Sequence, residues 1–198
     1  MYQVTEDHAR TIIAAMAKKE GITIIPKNKS TFMKVLSYMM PILTGGGIKR
    51  DEFMTKYVTT IMDRVYIDDD FYKDPDSALS CFIHEIQHVH DYRKDRIRYN
   101  TRYLANAHYR ALSEANGESA EYQMRRIYTN SMVQMPSAST VFNSLKKYRN
   151  YGLSDDDIES MVGVIRSDLR TLDLLGMVSN ESIRTMAVMI SSVTHNKP

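Results

Sequence analysis

Two histidines and a glutamate stand at a spacing that can hold a metal ion. The segment His84-Glu85-Ile86-Gln87-His88 has the form HExxH. Because four residues make about one helical turn, both imidazoles would project from one face of a helix and could bind one zinc ion. Glu85 would lie beside the metal, where it can take a proton from bound water. The motif therefore predicts a hydrolytic zinc site with Glu85 as general base and then general acid.

Residues close to the motif are poor candidates for the third protein ligand that a catalytic zinc site needs. One class of zinc enzymes carries this ligand six residues after the second histidine, but that position is Lys94 here. His90 is two residues past the motif and so points nearly the opposite way on a helix. Asp91 can orient an imidazole, but it would reach the metal only with strain.

The next predicted helix carries a better set of carboxylates. Glu114, Glu118 and Glu121 are spaced by four and three residues, which places them on one helical face. Arg110 and Arg125 lie one turn outside this set, so a surface ladder of ion pairs is the alternative interpretation. The upstream motif favours a metal, with either Glu114 or Glu118 as the third ligand.

The elements that must position these groups are mainly helices. Asp74-Pro75 is typical of a helix start and predicts a helix over 75–96 that carries the motif. A second helix is expected over 101–128. Strand-like runs at 57–62 and 65–67 could form a hairpin around Asp63-Arg64, and a further short strand is expected at 22–25.

Length and composition limit the kind of protein. The chain has 198 residues, a net charge of +2 and one cysteine, Cys81. These values predict a globular protein without an internal disulfide and give no reason to expect nucleic-acid or membrane partners. No signal peptide or membrane span is evident, so we expect a cytoplasmic protein. We expect a metal-binding core over 1–130 and a C-terminal helical subdomain over 138–195, packed together as one unit.

At this point the chain resembles the gluzincins, zinc peptidases with HExxH on one helix and a glutamate ligand on the next. The likeness covers roughly residues 56–125, and Glu114-Ala115-Asn116-Gly117-Glu118 fits the second motif of the family. The resemblance implies that Glu114 is the third ligand and that Glu118 orients His84. It implies a mostly helical α+β fold, in which a small antiparallel sheet and the glutamate helix flank the HExxH helix of a zincin-like core.

The same resemblance implies a zinc metalloendopeptidase acting on a peptide or protein. It is strongest to small gluzincins, including those of bacteriophage genomes. Independently of the resemblance, we expect the C-terminal helices to form a subdomain that binds a protein partner or shields the core. The oxyanion stabiliser is undecided among Tyr103, His108, Tyr109 and Arg110. Two alternatives remain: a zincin-fold structural or assembly protein, for example of a virion, that keeps the metal without catalysis, and a helical interaction module that binds no metal.

Overall fold

A computed structural model describes residues 4–128, 136–175 and 180–195 of the chain. The described part is mostly helical with one small sheet, so the expected α+β class is confirmed at that level. Within these ranges no helix is both long and apolar enough to cross a bilayer. The helices are α1 (Glu6–Glu20), α2 (Thr31–Leu43), α3 (Arg50–Thr55), α4 (Pro75–Lys94), α5 (Tyr99–Ala105), α6 (Ala107–Tyr128), α7 (Ala138–Leu145), α8 (Asp155–Leu175) and α9 (Glu181–His195).

The sheet is mixed rather than antiparallel, which corrects the sequence-based expectation. Its strands are β1 (Thr23–Pro26), β2 (Thr59–Ile61) and β3 (Arg64–Ile67), in the order β1-β3-β2. β2 and β3 form the expected antiparallel hairpin, whereas β1 runs parallel to β3. The chain between β1 and β3 passes through α2 and α3, and such a long connection allows parallel pairing. The hairpin turn is at 62–63, one residue earlier than predicted.

The helix that carries the HExxH motif begins where the sequence indicates. The Asp74 side chain accepts a hydrogen bond of 3.1 Å from the backbone N–H of Ser77, and Pro75 occupies the first turn. One side of α4 buries Phe82, Ile83 and other apolar residues against α1. The opposite side packs along α6. Burial on both sides fixes the rotation of α4 about its axis.

The helix predicted over 101–128 is in fact two helices, α5 and α6, separated at Asn106. The Asn106 backbone is extended, with φ −122° and ψ 107°, and its side-chain oxygen accepts a 2.9 Å hydrogen bond from the N–H of Tyr109. Asparagine is a favourable N-cap residue, so it begins a second helix at this point. Tyr99 and Tyr103, one turn apart on α5, stack on each other with ring centroids 5.8 Å apart.

Two apolar clusters each combine residues of the predicted core with residues of the predicted C-terminal subdomain. The first combines α1, α4 and β3 with Ile183, Met186 and Ile190 of α9. The second combines Ala111 and Ala115 of α6 with α7 and α8. Each cluster therefore contains side chains from both predicted segments, while 129–135, where the linker between them was expected, lies outside the described residues.

A buried lysine lies between the sheet and α3. Lys27 is only 1% exposed, and its ammonium group donates hydrogen bonds to the carbonyl oxygens of Phe53, at 2.6 Å, and Tyr57. The ammonium also lies 4.2 Å from the centre of the Phe53 ring. Burial lowers the pKa of Lys27 from 10.5 to about 8, although the charges of Glu85 and Asp68 oppose this shift. The folded protein thus holds this proton less tightly than the unfolded chain does.

This difference predicts how stability depends on pH. Between about pH 8 and pH 10 the unfolded chain keeps the Lys27 proton that the folded protein has released, so Lys27 makes folding more favourable as pH rises. The free energy of unfolding of the wild type, minus that of Lys27→Met, should increase by about 2.5 kcal/mol from pH 7 to pH 10. Urea denaturation of both metal-free proteins at the two pH values measures it. A constant difference would show that the Lys27 pKa is not lowered.

Candidate metal centre

The two histidines of the motif and one glutamate of α6 converge on a common point. The Nε2 atoms of His84 and His88 lie 3.0 Å apart. Glu114 approaches both rings, with Oε2 at 3.4 Å from His84 Nε2 and Oε1 at 3.5 Å from His88 Nε2. The three side chains are all buried. The imidazole pair comes from one turn of α4, and the carboxylate comes from the helix packed beside it.

The size of this triangle fits a metal ion. Ligands bound to zinc at 2.0–2.1 Å in a tetrahedral arrangement are separated by about 3.3 Å. The two Nε2 atoms are 3.0 Å apart, and each lies 3.4 or 3.5 Å from the Glu114 oxygen that faces it, so these distances lie around that value although the two oxygens differ. The donor set also has suitable chemistry, since imidazole nitrogen and carboxylate oxygen both bind zinc. His84, His88 and Glu114 can therefore hold a metal ion.

The electrostatics of the cluster favour a positive charge at its centre. Burial lowers the pKa of His84, but hydrogen bonds with Glu114 and Glu121 and the charge of Glu114 raise it by more, so it lies well above its usual value. Burial likewise raises the pKa of Glu114, but the charge of His88 and the hydrogen bonds with both histidines bring it well below its usual value. A carboxylate buried among imidazoles needs a cation, which is either a proton on His84 or a metal ion.

Gly117 makes room for the first imidazole. It lies on α6, three residues after Glu114, and a Cβ atom built on it would come within 2.7 Å of His84 Cδ2 and Nε2. No real Cβ contact is that short, so any side chain at position 117 would displace the ring. The glycine therefore leaves the volume that the His84 ring occupies.

The second imidazole is held by hydroxyl groups. His88 Nδ1 lies 3.2 Å from Ser113 Oγ and 3.3 Å from the Tyr99 hydroxyl, and these two oxygens are 2.9 Å apart. Partners of this kind fix the orientation of a histidine that binds a metal through its other nitrogen. On the first imidazole, Glu121 Oε2 lies 3.7 Å from His84 Nδ1 and is the carboxylate that faces this nitrogen.

Glu118, the expected partner of His84, has other close contacts. Its Oε1 accepts hydrogen bonds from the Tyr148 hydroxyl at 2.8 Å and from Lys147 at 2.7 Å. It also lies in a second group of possible ligand atoms with His84 and Glu121, all within 4.8 Å of one another. Glu118 is thus adjacent to the centre but is connected mainly to the segment that follows α7.

The remaining predicted site residues differ in their distance from the centre. Tyr103 is adjacent, because its hydroxyl donates a hydrogen bond to Glu114 Oε1. The Tyr109 ring packs edge-on against Tyr99, at 6.0 Å between centroids. The side chain of His108 is 66% exposed and lies 3.8 Å from Asp157.

Arg110 and Asp91 are engaged elsewhere. Arg110 donates hydrogen bonds to the carbonyl oxygens of Tyr103, Leu104 and Tyr151, and so connects α5 to the end of the 146–151 segment. Asp91 accepts hydrogen bonds from side chains one turn away on α4, namely Gln87 at 3.1 Å and Lys94 at 3.0 Å. The structure therefore brings Tyr103 to the ligands and keeps Arg110 and Asp91 in structural contacts.

Two parts of the site could not be found from the sequence. The first is the 3₁₀ segment Lys146–Tyr151, which supplies Lys147 and Tyr148 to Glu118. Burial, and then the charges of Glu114 and Glu118, raise the pKa of Tyr148 well above its usual value. The second is Thr60 of β2, whose hydroxyl donates a 2.6 Å hydrogen bond to Glu85 Oε2. Neither segment has a recognisable motif, because their residues become neighbours of the centre only in the folded chain.

Comparisons with known proteins do not place the chain in a family. No family model, curated protein or solved structure matches it.

The close approach at Gly117 predicts the effect of adding one methyl group. Gly117→Ala should push the His84 ring aside and weaken metal binding at least tenfold, since groups that orient a ligand typically contribute 10–100-fold to affinity. Competition with a chromophoric zinc chelator measures this affinity. Gly163→Ala on α8 is the matched control, because a Cβ there would meet nothing within 4 Å. Equal zinc affinity in Gly117→Ala and the wild type would contradict the close approach of the His84 ring to Gly117.

Proposed function

We propose that this protein is a zinc-dependent metallopeptidase. One observation carries the proposal: the imidazoles of His84 and His88 and the carboxylate of Glu114 are spaced as zinc ligands would be. Glu85 directly follows His84 in the chain. The packing of β2 and α6 against α4 also supports a zincin-like core. The similarity of the two motifs to those of gluzincins agrees with this proposal.

Each residue would have a defined role. His84, His88 and Glu114 would hold zinc and leave one coordination position open. When bound there, zinc would lower the pKa of a water molecule toward about 7 and polarise the peptide carbonyl. Glu85 would accept the proton of the attacking water and then deliver it to the departing amine. The hydrogen bond from Thr60 would hold the Glu85 carboxylate in one orientation during both transfers.

Tyr103 is the favoured oxyanion stabiliser among the predicted candidates. Its hydroxyl is next to the ligand Glu114, whereas His108 and Arg110 make their contacts elsewhere. Burial and the negative charge of Glu114 raise the pKa of Tyr103 well above its usual value, so the hydroxyl keeps its proton at neutral pH. A protonated phenol beside the ligands could stabilise developing negative charge by turning the hydrogen bond that it donates to Glu114 toward the substrate oxygen.

One observation favours a second candidate, a metal-binding structural or assembly protein without catalysis, such as a virion component. The four central side chains are nearly inaccessible: His84 and Glu85 are each 7% exposed, His88 is 8% exposed and Glu114 is 6% exposed. Structural zinc sites are closed in this way, whereas catalytic sites keep a position open to water and substrate. Enzymatic turnover must therefore be tested separately from metal binding.

Glu85→Gln separates the two candidates. The variant should bind one zinc ion as the wild type does, because Glu85 is not in the ligand triangle, but its peptide hydrolysis should fall by at least about 100-fold. Zinc content by atomic emission and cleavage of a diverse fluorogenic peptide library provide the measurements. If the zinc-loaded wild type is as inert as the variant on every peptide, the peptidase proposal fails and the structural candidate is supported.

The Thr60 hydrogen bond predicts a change mainly in kcat. Thr60→Val keeps the shape but removes the donor, so the Glu85 carboxylate loses its orientation and kcat should fall about tenfold with little change in KM. Thr60→Ser keeps a hydroxyl and should retain most of the activity. Steady-state kinetics on one peptide substrate tests both variants at equal zinc content. Equal kcat values for the Thr60→Val and Thr60→Ser variants would show that the hydrogen bond has no role in turnover.

A further inference from the structure

Helix α2 is apolar on its inner face, which packs into the protein. Met33 is fully buried, and Leu36 and Met40 pack beside it. Their partners include Ile48 and Phe53, which belong to the segment that follows the helix. This contact is the ordinary way in which an amphipathic helix attaches to a domain. An amphipathic helix of this kind should have a polar outer face, but the outer face of α2 is apolar.

The outer face of α2 carries five exposed large apolar side chains. A helix that is apolar around its whole circumference is normally covered on all sides. Four of the five residues, at positions 32, 35, 39 and 42, follow the 3-4-3 spacing of the seam between two packed helices. The exposed fractions are 54% for Phe32, 56% for Val35, 61% for Tyr38, 47% for Met39 and 82% for Ile42. We call these five residues the α2 seam.

Charge lies beside the α2 seam rather than within it. The Arg50 guanidinium stacks on the outer ring of Tyr38, at 4.0 Å from its centroid. Lys34 is also exposed and follows Phe32 by two residues, at the margin of the seam. A narrow apolar strip with cations on its margin is suited to another helix, because the strip can be buried while the charges stay in water.

We propose that α2 is the contact between two copies of this chain, with the two α2 seams packed against each other. The five side chains expose roughly 500 Å² of apolar surface, so two copies would bury about 1,000 Å² in total, which is near the lower limit for a specific interface. A two-fold interface must be complementary to itself. The α2 seam meets this condition because it contains no charged side chain.

Antiparallel packing of the two helices gives good steric matching. Phe32 would lie opposite Ile42 of the partner subunit, and Val35 would lie opposite Met39 of the partner subunit, which pairs residues symmetrically about the middle of the seam. Lys34 and its symmetry mate would be separated along the helix axes, so like charges do not meet. None of these residues belongs to the metal centre, and the inference therefore does not depend on the proposed function.

The test is the mass of the protein in solution as a function of its concentration. Sedimentation equilibrium from about 1 to 100 µM should show a weight-average mass that rises from the 22.8 kDa of one chain toward twice that value. Ile42→Glu should weaken association at least tenfold, because it places a charge within the contact, opposite Phe32 of the partner subunit. Ile97→Glu is the matched control, since Ile97 is 91% exposed outside the α2 seam, and it should associate like the wild type.

Three results would overturn the proposal. The first is a wild-type protein that stays monomeric over the whole concentration range. This result counts against the proposal even if the protein binds phosphatidylserine vesicles instead. The second is an Ile42→Glu protein that dimerises like the wild type. The third is equal loss of association in both glutamate variants. Circular dichroism and zinc content should match the wild type in both variants, because both side chains are exposed and neither belongs to the metal centre.

Discussion

The structure depends on a carboxylate and two imidazoles that share a buried position. Removing these groups from water is costly unless a cation lies among them, and the raised pKa of His84 and lowered pKa of Glu114 are signs of that requirement. The three groups meet only because α4, which carries His84 and His88, packs closely against α6, which carries Glu114. The fold therefore creates the need for a cation. Gly117 allows this packing by leaving the volume that the His84 ring occupies.

A shell of hydroxyl groups surrounds the charged centre. Tyr103 contacts Glu114, Tyr148 contacts Glu118, and Ser113 lies beside His88. Burial keeps the two tyrosines protonated, so both can act as hydrogen-bond donors toward carboxylates. The shell comes from three separate parts of the chain and orients the groups that would bind the metal. Such orientation limits the motion of these side chains, so the site would be formed before an ion binds.

The apolar clusters hold α4 and α6 in place from opposite sides. The first cluster presses α4 against α1 and α9, and the second presses α6 against α7 and α8. The N-terminal and C-terminal helices therefore contribute to the geometry of the centre without touching it. The outer face of α2 is different, because its apolar residues remain exposed in a single copy of the chain. The two buried clusters stabilise one copy of the chain, whereas the α2 seam could join two copies.

The sequence by itself determined what depends on short-range spacing. The HExxH motif on α4, its start at Asp74-Pro75 and the placement of three glutamates on one face of α6 follow from helical periodicity, and all are observed. The tertiary structure decided what depends on contacts between distant segments: the side of the helix toward which Glu114 points, the approach of Tyr148 and Thr60, and the parallel pairing of β1 with β3. The helix break at Asn106 was also not predicted, although it is local. An asparagine can lie inside a helix or cap one, and the two cases differ only in the backbone conformation of that residue. The packing of α5 beside the centre favours the extended conformation.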